Sequence, residues 1–415
     1  MNHSKNTRPD LILSNQSITE RVFAGLVNRP DEIVLTDGVT GREFTAKAFM
    51  DAVKALAGGL STQGFGKDAT VALIAANSPD LCVAFHGIAW AGGTITTFNP
   101  TNTASEINHQ LNDSRAEFLI TDSVFLDTVR EGMYSTKVRD LAVIGQVEEV
   151  QSLDEFYGDP ITEQVPVDVN NHSVVLPYSS GTTGLPKGVR LSHQNLVVNV
   201  DQIAVGGDFQ PGEVTACFLR LFHIFGMTGM NLHLAEGDGL VTMPRFDLEL
   251  FLKISRDYKA LRMWVVPPVA LAFAKHLMID DFDLSAMDQV VCGAAPMGKE
   301  LSDAATARLG CEMCQAYGVT ELSPATHITP LSAPRSGSSG LALPNTQCHI
   351  VDTETGQDLP AGERGELWIK GPQVMLGYLN NEKATTEMIL HPMGGSRLVT
   401  SRSSMETVTC LSLIA

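Results

Sequence analysis

Short apolar runs alternate along the chain with longer segments in which apolar residues recur every three or four positions. The runs are residues 71–74, 118–121, 174–176, 264–266 and 289–292. They have the length of buried strands, whereas segments such as 46–60 and 247–258 have the period of amphipathic helices. Regular alternation of strand and helix predicts an α/β fold, in which parallel sheets are wrapped by helices.

Helix boundaries can be predicted from residues that satisfy free backbone groups at helix ends. Ser192 is expected to open a helix that contains residues 195–200, because a serine hydroxyl can accept from the first free N–H groups. Ser302 is expected to cap a second helix that runs to Leu309, with Gly310 ending it.

The pattern changes from about residue 340. Segments 348–351 and 366–370 read as strands, and the residues between them are rich in turn formers. Two strands joined in this way favour an antiparallel hairpin, so we expect a small β-rich subdomain from about residue 340.

The length of the chain and its net charge limit the number of subdomains and the kinds of partner to be expected. The chain has 415 residues, 44% of them hydrophobic, which is enough for two or three subdomains. Its 29 Lys+Arg against 47 Asp+Glu give a net charge of -18, which disfavours nucleic acid and anionic membranes as partners. Residues 1–10 lack an apolar signal core and no apolar run reaches bilayer length, so we expect no membrane span and a cytoplasmic location.

The seven cysteines are scattered, and an odd number without a secretory signal favours reduced thiols. Cys311 and Cys314 form a C-x-x-C pair, but no second Cys/His pair follows at zinc-finger spacing. We expect these two thiols to pack in the interior.

Residues 178–189 combine glycines, hydroxyls and a lysine at the end of a predicted strand. Gly181 and Gly184 permit turns that a Cβ would forbid, and Lys187 supplies a compact positive charge. The expected donors to phosphate oxygens are Ser179, Ser180, Thr182 and Thr183. The segment therefore predicts a phosphate-binding loop; a solvated linker of the same composition is the alternative.

The spacing of this segment differs from that of common nucleotide hydrolases, because Gly188 follows the lysine where their loops end in G-K-[ST]. Phosphoryl transfer by such a hydrolase is a further alternative.

A second segment, residues 315–324, has the composition of an active-site loop. Tyr317 can stack on a purine, Gly318 permits close approach, Thr320 can donate to phosphate, and Glu321 can hold Mg²⁺. A simple helix start is the alternative for the Thr-Glu pair.

Three further positions are candidates with ordinary structural alternatives. Small residues at 293–295 follow a predicted strand and leave space for a flat ring, although a tight turn would need the same residues. His223 lies between apolar neighbours and is either functional or a core histidine. Arg245 is either a binding residue or an exposed surface arginine.

These strings resemble those of the adenylate-forming (AMP-binding) superfamily, and most closely its 4-coumarate-CoA ligase-like group. The resemblance covers about residues 33–388, including the string 371–379. It implies the large N-terminal domain of adenylate-forming enzymes over residues 1–394, with two parallel-type sheets wrapped by helices and a small β-barrel-like subdomain. It also implies an ATP-dependent carboxylic acid:CoA ligase that acts through an acyl-adenylate, with ATP, Mg²⁺, coenzyme A and a small carboxylic acid as cofactors and substrates.

The resemblance assigns roles to single residues. Lys187 would hold the β- and γ-phosphates, Thr320 the α-phosphate and Glu321 the Mg²⁺, while His223 would stand near the substrate carboxylate and Arg245 would contact coenzyme A. The remaining positions implied in nucleotide binding are Gly293, Ala294, Ala295, Gln315, Ala316, Tyr317 and Gly318.

Three residues depart from the family pattern. Arg220 stands where relatives usually have proline, Ala316 where many have glycine, and Phe225 where hydroxycinnamate ligases often have tyrosine. Without the tyrosine hydroxyl, a para-hydroxyl on the substrate loses a partner, at a cost of about 1–3 kcal/mol. An apolar acyl chain is then as consistent with the sequence as coumarate.

The resemblance ends after Leu390. Relatives continue with Gly-Trp-Leu-x-Thr-Gly-Asp-Leu, whereas residues 395–415 show no helix or strand pattern. We interpret these residues as the product of a reading-frame change, because codons shifted by one frame from Gly394 permit W-L-K-T-G-D-L. Sequencing the gene and finding no length anomaly near codons 391–395 would remove this hypothesis.

By resemblance, the portion expected beyond this point contains a mobile C-terminal lid domain, which carries a catalytic lysine. Loss of one such charge typically costs about 10²- to 10³-fold in rate. The expectation is therefore a ligase with impaired activity; the alternative is a non-catalytic remnant that still binds nucleotide or acid.

Overall fold

The computed structural model describes residues 8–179, 185–352, 354–360, 363–390, 398–401 and 408–409, the last two for their backbone. Its strands are β1 Ile33–Asp37, β2 Glu43–Thr45, β3 Thr70–Ile74, β4 Thr94–Thr97, β5 Phe118–Asp122, β6 Asp140–Ile144, β7 Ser173–Ser179, β8 Lys187–Ser192, β9 Val214–Cys217, β10 Gly239–Thr242, β11 Arg262–Val265, β12 Gln289–Cys292, β13 Glu312–Gly318, β14 Ala325–Ile328, β15 Leu341–Ala342, β16 Gln347–Val351, β17 Arg364–Lys370, β18 Gly377–Tyr378, β19 Ile389–Leu390, β20 Leu398–Ser401 and β21 Val408–Thr409. Its α-helices are α1 Ile18–Leu26, α2 Ala46–Thr62, α3 Pro79–Trp90, α4 Ala104–Ser114, α5 Leu126–Gly132, α6 His193–Gly206, α7 Ile224–Glu236, α8 Leu248–Asp257, α9 Pro267–Lys275, α10 Lys299–Leu309 and α11 Glu382–Met388.

The largest sheet has seven strands in the order β18-β8-β7-β4-β3-β5-β6. Strands β3 to β7 run parallel to one another, β8 runs antiparallel to β7, and β18 pairs antiparallel with β8. A four-stranded sheet (β2-β1-β10-β9) and a five-stranded sheet (β11-β12-β13-β14-β15) complete the α/β part. The α/β prediction is confirmed. The parallel strands are shared among three mixed sheets, where the resemblance implied two.

Helices cover the sheets and bury a large apolar core between the layers. Helix α3 shows why: every residue from Leu81 to Trp90 is buried, so this helix lies between packed elements on all sides. Within the described residues, no helix is both long enough and apolar enough to cross a bilayer.

The predicted helix boundaries hold at three of four positions. Ser192 caps the start of α6 as expected, and the structure adds Asn195, whose side chain completes a capping box. Gly310 ends α10 with φ +72°, which glycine adopts without strain, and Leu309 is the last residue of that helix. The prediction for Ser302 is wrong, because α10 already begins at Lys299 and Ser302 is buried inside it.

Strands β16 and β17 form the predicted antiparallel hairpin, with Cys348 opposite Ile369. The tail differs from expectation, since the backbone of β20 pairs with β17 and β19, and β21 pairs with β17. The proposed change of reading frame near residues 391–395 falls outside the described residues.

Candidate functional site

A cavity of about 700 Å³ opens where the carboxyl ends of β7, β12 and β13 come together. Strand β7 belongs to the seven-stranded sheet and β12 and β13 to the five-stranded sheet, so the cavity lies between the carboxyl edges of two sheets. The carboxyl edge of parallel strands is the usual position of ligand sites in α/β folds. The cavity collects most of the predicted residues: Ser179, Lys187, His223, Gly293, Ala294, Ala316, Tyr317, Gly318, Thr320 and Glu321.

The two ends of the predicted phosphate loop face each other in the wall of this cavity. Ser179 is the last residue of β7, Lys187 is the first of β8, and the two are paired in the antiparallel register. The hairpin therefore brings a hydroxyl and an ammonium group to the same edge. The predicted positions Ser180, Gly181, Thr182, Thr183 and Gly184 lie outside the described residues.

The carboxylate of Glu321 joins the two predicted loops. Ser179 donates its hydroxyl to Oε1 of Glu321 over 3.1 Å, and Tyr378 donates its phenol to the same oxygen over 2.7 Å. Glu321 is only 8% exposed. Because residues 179 and 321 belong to separate sequence motifs, this contact establishes that both motifs face one cavity.

Tyr378 is a site residue that the sequence reasoning missed. Its ring lies 5.2 Å from Nζ of Lys187, within cation–π range. Burial together with the neighbouring Glu321 carboxylate raises the pKa of the phenol, so that it stays protonated. The resemblance had included the string 371–379 without a role, and the short pairing of β18 with β8 is what places Tyr378 here.

The loop that carries Thr320 and Glu321 is fixed by hydrogen bonds on its C-terminal side. The side chain of Asn199 accepts from the N–H of Ala325 and donates to its carbonyl. The hydroxyl of Ser323 donates to the carbonyl of Gln373 over 2.8 Å. These bonds hold the 3₁₀ turn Thr320–Leu322 against α6 and the chain before β18.

Gly318 is required for the close approach of this loop to β14. A Cβ at residue 318 would lie 2.0 Å from the carbonyl oxygen of Pro324, which is shorter than any real contact. The glycine in the Tyr-Gly pair is therefore explained by packing within the site.

Only part of the segment after β12 lines the cavity. Gly293 and Ala294 line the cavity, and Ala294 has φ +67°, a conformation that non-glycine residues adopt at a cost and often at functional sites. Ala295 is exposed and does not line the cavity, and Gln315 lies behind the wall, where its Oε1 accepts from the N–H of Met297.

His223 caps the start of α7. Its Nδ1 accepts from the backbone N–H of Phe225 over 3.3 Å, which places the proton of the neutral ring on Nε2. The ring borders the cavity, and desolvation by the surrounding protein lowers its pKa. It is therefore a neutral residue that can donate a hydrogen bond at pH 7.

One end of the cavity is apolar. Its wall is formed by Ile203, Phe225, Leu232, Trp264 and Ile328. The ring of Trp264 meets that of Phe225 edge to face, with centroids 5.9 Å apart. Trp264 was also missed, because only the fold shows that its strand position faces the cavity.

Arg245 is not part of this cavity. It is exposed and borders a separate, smaller pocket with Val39, Asp247 and Lys253. The structure therefore separates Arg245 from the other predicted residues.

The chain is similar to known proteins in sequence and in fold. A family model described as AMP-binding enzyme matches residues 23–379. A probable 4-coumarate–CoA ligase of Dictyostelium discoideum is 35% identical over 408 residues, covering 92% of this chain and 74% of the relative. A 4-coumarate–CoA ligase of Petroselinum crispum is 35% identical over 380 residues, covering 88% and 70%. The solved structure of a long-chain-fatty-acid–CoA ligase from Archaeoglobus fulgidus superposes with a TM-score of 0.88 at 25% identity, covering 95% of this chain and 82% of that one.

Proposed function

The chain belongs to the AMP-binding enzyme family, and the relatives described above include CoA ligases. From this premise we propose that it is an ATP-dependent carboxylic acid:CoA ligase. The observation that carries the proposal is the hydrogen bond between Ser179 and Glu321, which puts both nucleotide motifs in one cavity. Lys187, Thr320 and Glu321 border the same space.

In the proposed reaction, a carboxylate oxygen of the acid attacks the α-phosphorus of ATP. Pyrophosphate leaves with the electrons of the broken P–O bond, and an acyl-adenylate forms. The thiolate sulfur of coenzyme A then attacks the acyl carbon and AMP leaves. The protein's residues supply positioning and charge neutralisation, with Lys187 on the leaving phosphates and the Nε2–H of His223 on the substrate carboxylate.

The residues around Glu321 fit a Mg²⁺ ion. Both donors to this carboxylate bind Oε1, and no described residue donates to Oε2, so one hard oxygen is left for a cation. A bound Mg²⁺ would neutralise phosphate charge; Glu321 would hold it and Thr320 would lie beside it.

We propose that the acid is apolar. The polar atoms at the apolar end already have partners, since Thr228 donates to the carbonyl of Ser323 and Trp264 donates to His233. A substrate hydroxyl placed there would lose its hydrogen bonds to water at a cost of about 1–3 kcal/mol. Cinnamate or a fatty acid should therefore be preferred over 4-coumarate.

Product analysis separates this function from its rivals. The protein is incubated with ATP, MgCl₂, coenzyme A and single acids, and the products are identified by mass spectrometry. The ligase predicts AMP, pyrophosphate and acyl-CoA. ADP and phosphate would indicate a nucleotide hydrolase, and binding of ATP or acid without any turnover would indicate a non-catalytic remnant.

A further inference from the structure

The side chain of Tyr378 contacts both charged groups of the proposed nucleotide site. Its phenol donates to Oε1 of Glu321 over 2.7 Å, and its ring faces Nζ of Lys187 at 5.2 Å. The backbone position is fixed independently, because the N–H of Tyr378 donates to Oγ1 of Thr385 over 2.8 Å and β18 pairs with β8. The side chain is therefore a rigid element between an anion and a cation.

The hydrogen bonds to Glu321 are distributed unequally between its two oxygens. A carboxylate oxygen has two lone-pair directions, and the hydroxyls of Ser179 and Tyr378 take up both of those on Oε1. This arrangement fixes the rotation of the carboxylate and directs Oε2 away from both donors. Residues that orient a metal ligand in this way typically change metal affinity by about 10- to 100-fold.

We propose that Tyr378 is a positioning residue that sets the metal-binding oxygen of Glu321 through its phenol and the orientation of Lys187 through its ring. The inference rests on the proposed function, because it assumes that nucleotide and cation bind between these residues. It goes beyond that function by separating two roles within one side chain. Removing the hydroxyl affects only the first role, and removing the ring affects both.

The two roles of Tyr378 can be distinguished by binding measurements on the full chain, without measuring catalysis. The dissociation constant of the ATP analogue β,γ-methylene-ATP is determined by calorimetry, once in EDTA and once in saturating Mn²⁺. The ratio of the two constants is the metal enhancement of nucleotide binding. The variants are Tyr378→Phe and Tyr378→Leu, and the matched control is Tyr134→Phe, whose side chain is 81% exposed.

For Tyr378→Phe, the metal enhancement should fall by about tenfold or more, while the constant in EDTA changes by less than about twofold. For Tyr378→Leu, the enhancement should fall similarly and binding in EDTA should also weaken. The control should match the wild type in both conditions. If Tyr378→Leu does not fold, the Tyr378→Phe measurement decides alone.

An unchanged or increased enhancement in Tyr378→Phe would overturn the inference, since the phenol would then not orient Glu321 for the metal. This outcome leaves the proposed function intact, because the wild type would still bind nucleotide. A wild type that binds no nucleotide in either condition would instead contradict the proposed function itself.

Discussion

Trp264 donates its indole N–H to Nε2 of His233 over 3.0 Å, and this bond fixes the indole at the apolar end of the cavity. His233 is buried and its Nδ1 lies 3.0 Å from Oδ2 of Asp238, whose other oxygen accepts from two backbone N–H groups. The acceptor role of Nε2 assigns the ring proton to Nδ1. Phe209 stacks on the indole with ring centroids 5.5 Å apart, so the ring is held on two sides.

A rigid indole at this place should limit the size of the acid. Trp264→Ala should shift the preference toward longer or bulkier acids, changing the ratio of kcat/KM for a long acid over a short one by about tenfold or more. The measurement is acyl-CoA formation with a series of fatty acids. Trp368→Phe, in β17, serves as a control that should keep the wild-type ratio. An unchanged preference in Trp264→Ala would mean that the indole does not bound the acid site.

Phe225 should decide between hydroxylated and unsubstituted aromatic acids. Its para carbon lies beside Gly293, since a Cβ built on that glycine would be 2.9 Å from Cζ of Phe225. Phe225→Tyr would place a hydroxyl at this point and should raise kcat/KM for 4-coumarate relative to cinnamate by about tenfold, the value of one hydrogen bond. Equal ratios in the variant and the wild type would show that the ring of the acid binds elsewhere.

Gly318 should be indispensable for the position of Glu321. Gly318→Ala brings a Cβ against the carbonyl of Pro324, so the loop must move, and a displacement of about 1 Å can reduce the rate by about 100-fold. The measurement is adenylation rate together with the melting temperature. Gly298→Ala is the matched control, because a Cβ there has no atom within 4 Å. Wild-type adenylation by Gly318→Ala would refute the packing argument.

Stability should fall as the pH drops below about 6.5. Burial lowers the pKa of His86 and His193 to about 3 and that of His327 to about 4. Unfolded histidines titrate near 6.5, so between about pH 6.5 and 4 the unfolded state binds protons that the folded state does not. Each histidine then removes about 1.4 kcal/mol of stability per pH unit.

Asp122 changes folding stability in the opposite direction as the pH falls. Burial raises its pKa to about 6, so the folded state binds a proton between about pH 6 and 4 that the unfolded state releases, and this offsets part of the loss. The free energy of unfolding is measured by urea titration at pH 8.0, 6.5 and 5.0. His193→Gln should reduce the slope below pH 6.5 relative to the wild type. A stability that rises toward pH 5 would contradict the assignment of these histidines as neutral.

Local features of the fold could be predicted, and features that depend on distant pairings could not. The cap that Ser192 makes at the start of α6 depends on residues within one turn, so sequence alone identified it. Tyr378 acquires its role because β18 pairs with β8 about 190 residues earlier, a register that no local pattern specifies. Ser302 was misplaced because Gly298, a weaker capping residue, begins the helix one turn earlier.

Some residues of the candidate site could be identified from the sequence, and others only from the fold. Lys187 and Glu321 were found because their neighbours form recognisable strings, and the structure brings both to one cavity. Trp264 and His233 belong to ordinary apolar segments, and only the hydrogen bond between β11 and α7 shows that His233 holds Trp264 in the cavity wall. Arg245 was predicted from a position in a string, and the fold places it in another pocket.

The most direct test of the account is acid-dependent exchange of labelled pyrophosphate into ATP, measured on the wild type, Lys187→Ala and Lys299→Ala. Lys299 is an exposed lysine paired with Asp303, so its removal controls for loss of a positive charge. Exchange should require the acid, fall by about 10²- to 10³-fold in Lys187→Ala, and stay unchanged in Lys299→Ala. Exchange that does not need the acid, or that survives intact in Lys187→Ala, would contradict the proposed function.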